Sequence, residues 1–368
     1  MSSLFVIWSV TGFVLEVPSG AWADTVDRRH LLVLSALVHA AGFASWVLFP
    51  TYAGFAAGFV LWGVAGSIVS GTFESLLYDE LDAHGQAGRY ARTMGWAQAC
   101  AMAANLVASV SAAPLLAVGG YALVGWVSVG VCLVELVLAA TLPVTTQHPS
   151  ARHHGAEAVH DVAVEAERAA ARYVAMLRAG VREASRTMVV RRTVLITAGV
   201  IGASAYDEYF PLVAADHGVA VSTVPWLIGL VVLGQVVGTA LAGRTAAMTG
   251  RVMGAVLLGA AVLISAGALA TPWLGFAAIA VGYGLLNNAM VVSEARLQDV
   301  IHGPARATVT SVAGLATEVV ALAVYVGFAA TGGLVPVPVQ VAALGVPLAA
   351  LALWTRRRLP PPAEGADP

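Results

Sequence analysis

Lysine is absent from this chain: all nineteen of its basic residues are arginine. Charge of either sign is scarce. Only 11% of the residues are charged, against roughly 25% in ordinary soluble domains. With 59% hydrophobic residues and a mean hydropathy of +0.81, the chain cannot clothe itself in solvated side chains, which excludes an ordinary soluble protein. No basic stripe carries interleaved aromatics and the formal net charge is −2, so nucleic acid is not a partner. Two cysteines, Cys100 and Cys132, each sit inside an apolar run. They read as small packing residues and exclude a disulfide scaffold or a cysteine metal site. No basic stretch precedes the first apolar run, and that run ends at Asp24 and Arg28 rather than at a small-residue cleavage site, so no cleavable leader is read.

What is present is a series of apolar runs of membrane-spanning length. A helix needs about 20 apolar residues to cross the hydrocarbon core. Eleven such runs are read, at 3–22, 31–49, 53–77, 94–117, 121–142, 193–213, 224–243, 252–270, 273–293, 307–330 and 335–354. The arginines fall in alternate gaps: Arg28 and Arg29, Arg89 and Arg92, Arg152 through Arg192, Arg244 and Arg251, Arg296 and Arg306, then Arg356 to Arg358. The intervening gaps (50–52, 118–120, 214–223, 271–272 and 331–334) have none. Arginine-rich loops stay on the cytoplasmic side during insertion. The alternation therefore predicts a multi-pass protein of the inner or plasma membrane with its C-terminus in the cytoplasm. Trp22, Trp96 and Trp354 at predicted inner ends, and Trp46, Trp226 and Trp273 at outer ends, fit the headgroup zone. Dense glycines, such as Gly54, Gly58, Gly63 and Gly66 or Gly229, Gly234 and Gly238, suit close helix packing in lipid.

Between the fifth and sixth runs lies a polar stretch, 143–192. Its first part, with His148, His153 and His154, reads as linker. Its later part repeats Tyr173, Leu177 and Val181 at helical spacing, with Arg168, Arg172, Arg178, Arg182 and Arg186 on other faces. That is an amphipathic basic helix for the cytoplasmic membrane surface. The expected domains are thus a five-helix bundle (1–142), the linker (143–192), a six-helix bundle (193–355) and a cytoplasmic tail (356–368).

Residues 20–29 read Gly-Ala-Trp-Ala-Asp-Thr-Val-Asp-Arg-Arg. This resembles the signature loop of the major facilitator superfamily (MFS), with Gly20, Asp24, Arg28 and Arg29 matching; Thr25 and Asp27 depart from it. The preceding Glu16-Val17-Pro18-Ser19-Gly20 is similar to an entry sequence of many members. Ser70 to Asp79 resembles the end of the fourth helix in an exporter-like branch. The resemblance implies an all-α fold of two bundles, working by alternating access with no cofactor. It further implies that Asp24 meets the N-terminus of the helix beginning near Arg306, where a carboxylate is favoured. Arg28 is then expected to pair with Asp79, and these contacts to form a conformational latch. Gly238-Thr-Ala-Leu-Ala-Gly-Arg244 is a weaker echo in the second bundle, lacking the acid. In the family the signature loop follows the second helix, whereas here one run precedes it. The expectation is of 11 helices with the first missing, through either a start upstream of Met1 or a naturally short chain.

Carboxylates inside the membrane are costly and mark function. Glu318 lies about 18 Å deep, counted at ~1.5 Å per residue from Arg306. Asp207 and Glu208 are adjacent in Ala205-Tyr206-Asp207-Glu208-Tyr209-Phe210-Pro211, and on an α-helix they point about 100° apart. Glu16, Glu135 and Glu74 complete the proton-coupling candidates. Substrate-cavity candidates are Gln98, Asn105, Gln235, Asn287, Asn288, Tyr206 and Tyr325. No run contains a mid-membrane arginine, and the glycine-proline motif of the fifth helix in many drug/proton antiporters is absent. Acids without a basic partner disfavour anionic substrates and suit neutral or cationic amphiphiles, with aromatic faces for cation–π contact. The reading is a monomeric secondary transporter, coupled to protons and exporting a small amphiphile, with the bilayer and its substrate as partners. Uptake of a nutrient or sugar-like solute and a non-transporting receptor are the alternatives; an enzyme is not expected, and no metal site is read.

Overall fold

The computed structural model describes residues 2–70, 72–142, 187–301 and 306–360, with positions 175, 178, 181, 182 and 185 between them; the side chains of 16–25, 87, 91 and 306–308 are outside this description. The linker reading through His148 and Tyr173 falls on residues outside it. Arg178, Val181 and Arg182 lie in helical backbone and are exposed. The chain divides into two units, in the main 3–103 with 115–175, and 104–114 with 176–368.

The N-terminal unit contains α1 (Ser2–Thr25), α2 (Arg28–Leu48), α3 (Tyr52–Val69), α4 (Thr72–Ala83) and α5 (Tyr90–Thr141), apart from Ser2 and 104–114. Asp27 starts α2 by accepting the Arg29 N–H at 2.8 Å, and Thr51 caps α3 through Gly54 N–H at 3.2 Å. These side-chain oxygens satisfy donors that a helix start leaves open. α2 and α3 pack as a hairpin, tied by Ser35 Oγ to Ala65 O at 3.0 Å and Ser45 Oγ to Gly54 O at 2.9 Å. Near its turn, Trp46 stands against Gly58 and donates to Phe55 O at 3.2 Å. Phe43, Trp46, Phe59, Trp62 and Trp8 form one aromatic cluster, with neighbouring centroids 5.1–6.1 Å apart. The run read as 53–77 is two helices, because Ser70 leaves helical geometry (ψ 119°) between α3 and α4. The long α5 holds two of the predicted runs. It breaks at Gly120, whose φ of 60° and ψ of −161° suit glycine alone. Of the two cysteines, Cys132 is buried and Cys100 is exposed, so the packing role read for both fails for Cys100.

The C-terminal unit contains α6 (Met188–Gly202), a 3₁₀ stretch (Ala203–Tyr209), α7 (Phe210–Asp216), α8 (Val224–Thr245), α9 (Gly250–Leu269), α10 (Pro272–Val300), α11 (Arg306–Thr331), α12 (Val337–Ala343) and α13 (Gly345–Arg358). Its centre is α10, which carries the buried Phe276, Ile279, Tyr283, Leu286 and Leu297. α10 meets α8 backbone to backbone: a Cβ on Gly238 would fall 1.9 Å from Gly284 O, and one on Gly234 2.1 Å from Ala280 O. Only glycine permits that approach. Asn288 fastens the same pair, donating to Gly238 O at 3.0 Å and sharing hydrogen bonds with Thr245 Oγ1 at 2.9–3.0 Å. At the opposite end, Asp216 Oδ2 accepts the Val337 N–H at 3.0 Å, and His217 Nε2 reaches Ala268 O at 2.9 Å. Asp216 thereby supplies α12 with the cap that Pro336 lacks. The final run is divided between α12 and α13, where Pro347 has no N–H to offer the Ala343 carbonyl.

Among the described residues, nine helices are long and apolar enough to cross a membrane, and one of these is the 50-residue Arg92–Thr141, which breaks at Gly120.

Candidate functional site

The sixth apolar run is interrupted in its middle. Pro211 has no N–H to return to the carbonyl of Asp207. That carbonyl takes the Phe210 N–H instead, one residue closer, and residues 203–209 tighten into 3₁₀ geometry. Such stretches inside longer helices often mark a hinge or a sequence under strain. The expectation that Asp207 and Glu208 diverge by about 100° on an α-helix is therefore corrected to about 120°, with positions three apart eclipsed. Tyr206 and Tyr209 are such a pair, and both are buried, at 2% and 1% exposure.

Aromatic rings enclose the break. Tyr209 stacks on Phe328 of α11, with centroids 3.6 Å apart and planes 13° from parallel. Phe210 meets Tyr283 of α10 edge-on at 5.5 Å and Tyr206 at 5.9 Å. Polar groups are set within this wall. The Tyr283 hydroxyl donates to Asp207 Oδ2 at 2.6 Å. Asn287, one turn further along α10, donates to Tyr283 O at 2.9 Å. Tyr325 lies within electrostatic range of Asp207, Glu208 and Glu318. Glu318 and the adjacent pair Asp207 and Glu208 thus lie around one tyrosine. α11 reaches it because Gly202 leaves room for Thr317 and Val320: a Cβ there would be 2.6 Å from Val320 Cβ. The Tyr206 hydroxyl is buried without a hydrogen-bond partner.

Other sequence candidates lie elsewhere. Asn288 sits inside the α8–α10 contact, which assigns it to helix packing; Gln235 on α8 is half-buried. Gln98, Asn105 and Glu135 on α5 are exposed. The side chains of Glu16, Gly20 and Asp24 fall outside the described residues. No three His, Cys, Asp or Glu side chains among the described residues gather to hold a metal ion.

In the N-terminal unit, Arg28 Nη1 donates to Asp79 Oδ2, joining the start of α2 to the end of α4. The side chains are 14% and 35% exposed, so the pair lies at a boundary. Arg28 Nε and one oxygen of Glu74 are buried without hydrogen-bond partners. Arg29 contributes its backbone N–H to the Asp27 cap.

Residues 1–325 match the sequence profile of the Major Facilitator Superfamily. The chain belongs to that superfamily. Its fold is shared with solved members: a D-xylose–proton symporter superposes with a TM-score of 0.69 at 15% identity, covering 100% of this chain and 87% of the symporter. A variant of the nucleoside transporter NupG gives 0.68 at 11% identity, covering 96% of this chain and 90% of that one. No curated protein sequence matches it. The chain is therefore an all-α, multi-pass MFS protein and a secondary transporter rather than an enzyme, with the bilayer and a small-molecule substrate as its partners.

Proposed function

We propose that this MFS transporter couples the proton gradient to export of a small neutral or cationic amphiphile. It works from the inner or plasma membrane, with its C-terminus in the cytoplasm. The observation that carries the reading is the Asp207 carboxylate, held by Tyr283 on an interrupted helix and walled by aromatic rings. Glu208 and Glu318 lie within electrostatic range of Tyr325, and the runs read from the sequence carry no mid-membrane arginine. A partly buried carboxylate in such surroundings exchanges protons as its setting changes, and a positive or neutral solute suits the same wall. The unpartnered Tyr206 hydroxyl offers one hydrogen bond to a bound molecule. Arg28 with Asp79, together with Gly20, Asp24 and Arg29, supplies the latch that favours one state of the alternating-access cycle.

Uptake of a polar solute is the second reading. Two solved relatives are a xylose symporter and a nucleoside transporter, and Asn287 beside Tyr283 is a polar group of the kind such solutes need. Proteoliposomes with an imposed pH gradient separate the two. Flux of a lipophilic cation such as tetraphenylphosphonium against the proton flow, lost in Asp207→Asn, supports export. Gradient-driven uptake of xylose or uridine with no cation flux would replace it with import.

A further inference from the structure

We propose that the arginine-bearing end of the C-terminal unit is a binding surface for an anionic phospholipid, whose phosphate it holds.

Three helices bring their charge to this end. α8 closes with Arg244, α9 opens with Arg251, and α13 finishes with Arg356, Arg357 and Arg358, all five exposed. Packing sets α9 beside α13: a Cβ on Gly254 would stand 2.7 Å from Arg356 Cβ, and one on Gly250 3.2 Å from Thr355 O. The last turn of α13 therefore lies against the first turn of α9. Beneath the turn that joins α8 to α9, the guanidinium of Arg296 is 2% exposed and donates to Ala246 O at 2.8 Å and Met248 O at 2.9 Å. Its Nη1 has no acceptor at all. Two main-chain carbonyls fix this side chain and Asp299 on the same helix partly offsets its charge, so the field of this end rests on the five exposed arginines.

Membrane topology requires basic residues on one side, but not this arrangement. The N-terminal unit shows the contrast: there Arg28 is spent on Asp79, Arg89 donates to Gln86 at 3.0 Å, and Asp27, Glu80 and Asp82 lie on the same end. At the C-terminal unit's basic end, Glu294 and Asp299 of α10 are the nearby acids among the described residues. Arg251 also sits on the N-terminus of α9, where the helix dipole is already positive. A cation there is unfavourable unless an anion joins it, and the open N–H groups of a helix start suit a phosphate. Trp354, half-buried two residues before the three arginines, places this end at the headgroup level. Basic pockets between membrane helices on the inner side are where anionic headgroups bind.

The test uses the whole purified chain and compares retention of phosphatidylglycerol with phosphatidylcholine by native mass spectrometry. A thermal-shift series with each lipid, and with inorganic phosphate alone, accompanies it. The expected result is selective retention of phosphatidylglycerol and a melting shift that phosphate alone does not reproduce. Each exposed arginine is worth roughly fivefold in affinity, from about 1 kcal/mol per basic group near an anionic surface. Arg251→Gln with Arg356→Gln, Arg357→Gln and Arg358→Gln therefore lowers retention far more than tenfold, whereas Arg89→Gln with Arg92→Gln leaves it unchanged. Equal retention of the two lipids by the unaltered protein overturns the proposal without recourse to any variant. So does undiminished retention by the fourfold variant, and a shift fully reproduced by phosphate makes the ligand a free anion rather than a lipid.

Discussion

Tyr283 donates its hydroxyl to Asp207 Oδ2 at 2.6 Å, a bond that runs from the central helix of the C-terminal unit to a helix interrupted at that point. Hydrogen bonds to charged groups contribute about 1.5–3 kcal/mol. If Asp207 is the coupling group, Asp207→Asn abolishes gradient-driven accumulation while substrate exchange across the membrane persists. Tyr283→Phe, which leaves the carboxyl in place, lowers driven flux about tenfold or more. Counterflow and gradient-driven assays on the same proteoliposomes distinguish the two, and full accumulation by Asp207→Asn removes this carboxyl from the mechanism.

Arg28 and Asp79 form a boundary ion pair that is partly solvated. A double-mutant cycle with Arg28→Ala and Asp79→Ala is expected to show a coupling of about 0.2–1 kcal/mol in stability. Both single variants should also change the accessibility of engineered cysteines at one membrane face, in the same direction. Unchanged accessibility would leave the pair as a structural contact without a latch role.

Gly238 faces Gly284 with no space for a methyl group. Gly238→Ala forces backbone apart and is expected to cost about 1–3 kcal/mol, lowering the melting temperature in detergent. Gly314 on α11 has nothing within 4 Å of an added Cβ. There the same change is expected to be neutral or to stabilise by up to about 1 kcal/mol, since alanine is the better helix former. Equal melting temperatures for the two variants would contradict the packing described.

Pro211 is the cause assigned to the 3₁₀ stretch. Pro211→Ala restores an N–H that the Asp207 carbonyl can accept, allowing the helix to run on in α geometry and turning Tyr206 and Tyr209 out of register. Slower hydrogen exchange across 203–212, together with reduced transport, is the expected outcome. Exchange unchanged from that of the unaltered protein would assign the break to the aromatic packing instead.

The apolar runs and the alternation of arginine made the membrane-spanning character legible, because hydropathy over some twenty residues and loop charge are both sequence properties. The Arg28–Asp79 contact was legible for a different reason: its two residues lie in motifs that resemble a known family, although they are 51 positions apart. The 3₁₀ break was less so. Its signal, Pro211 after Tyr209 and Phe210, was in view, yet an apolar run does not show how its backbone hydrogen bonds are shared. The gathering of Glu318 with Asp207 and Glu208 was not legible, since depth along a helix is readable and rotation about its axis is set by packing. Asn288 shows the same limit. A buried amide next to Asn287 looks equally suited to ligand and to neighbour, and only the approach of Gly238 decides it. Glu135 and Gln98 counted as interior from their place in apolar runs, and both are exposed.

Where Gly238 touches Gly284, two rods share a seam with no side chain between them, and the Asn288 amide is stitched across it. Side chains can slide past one another by changing rotamer; bare peptide planes in contact cannot. This pair is therefore expected to move as one spar, leaving shape changes of the C-terminal unit to the helices around it, with the 3₁₀ stretch before Pro211 as the place where bending costs least.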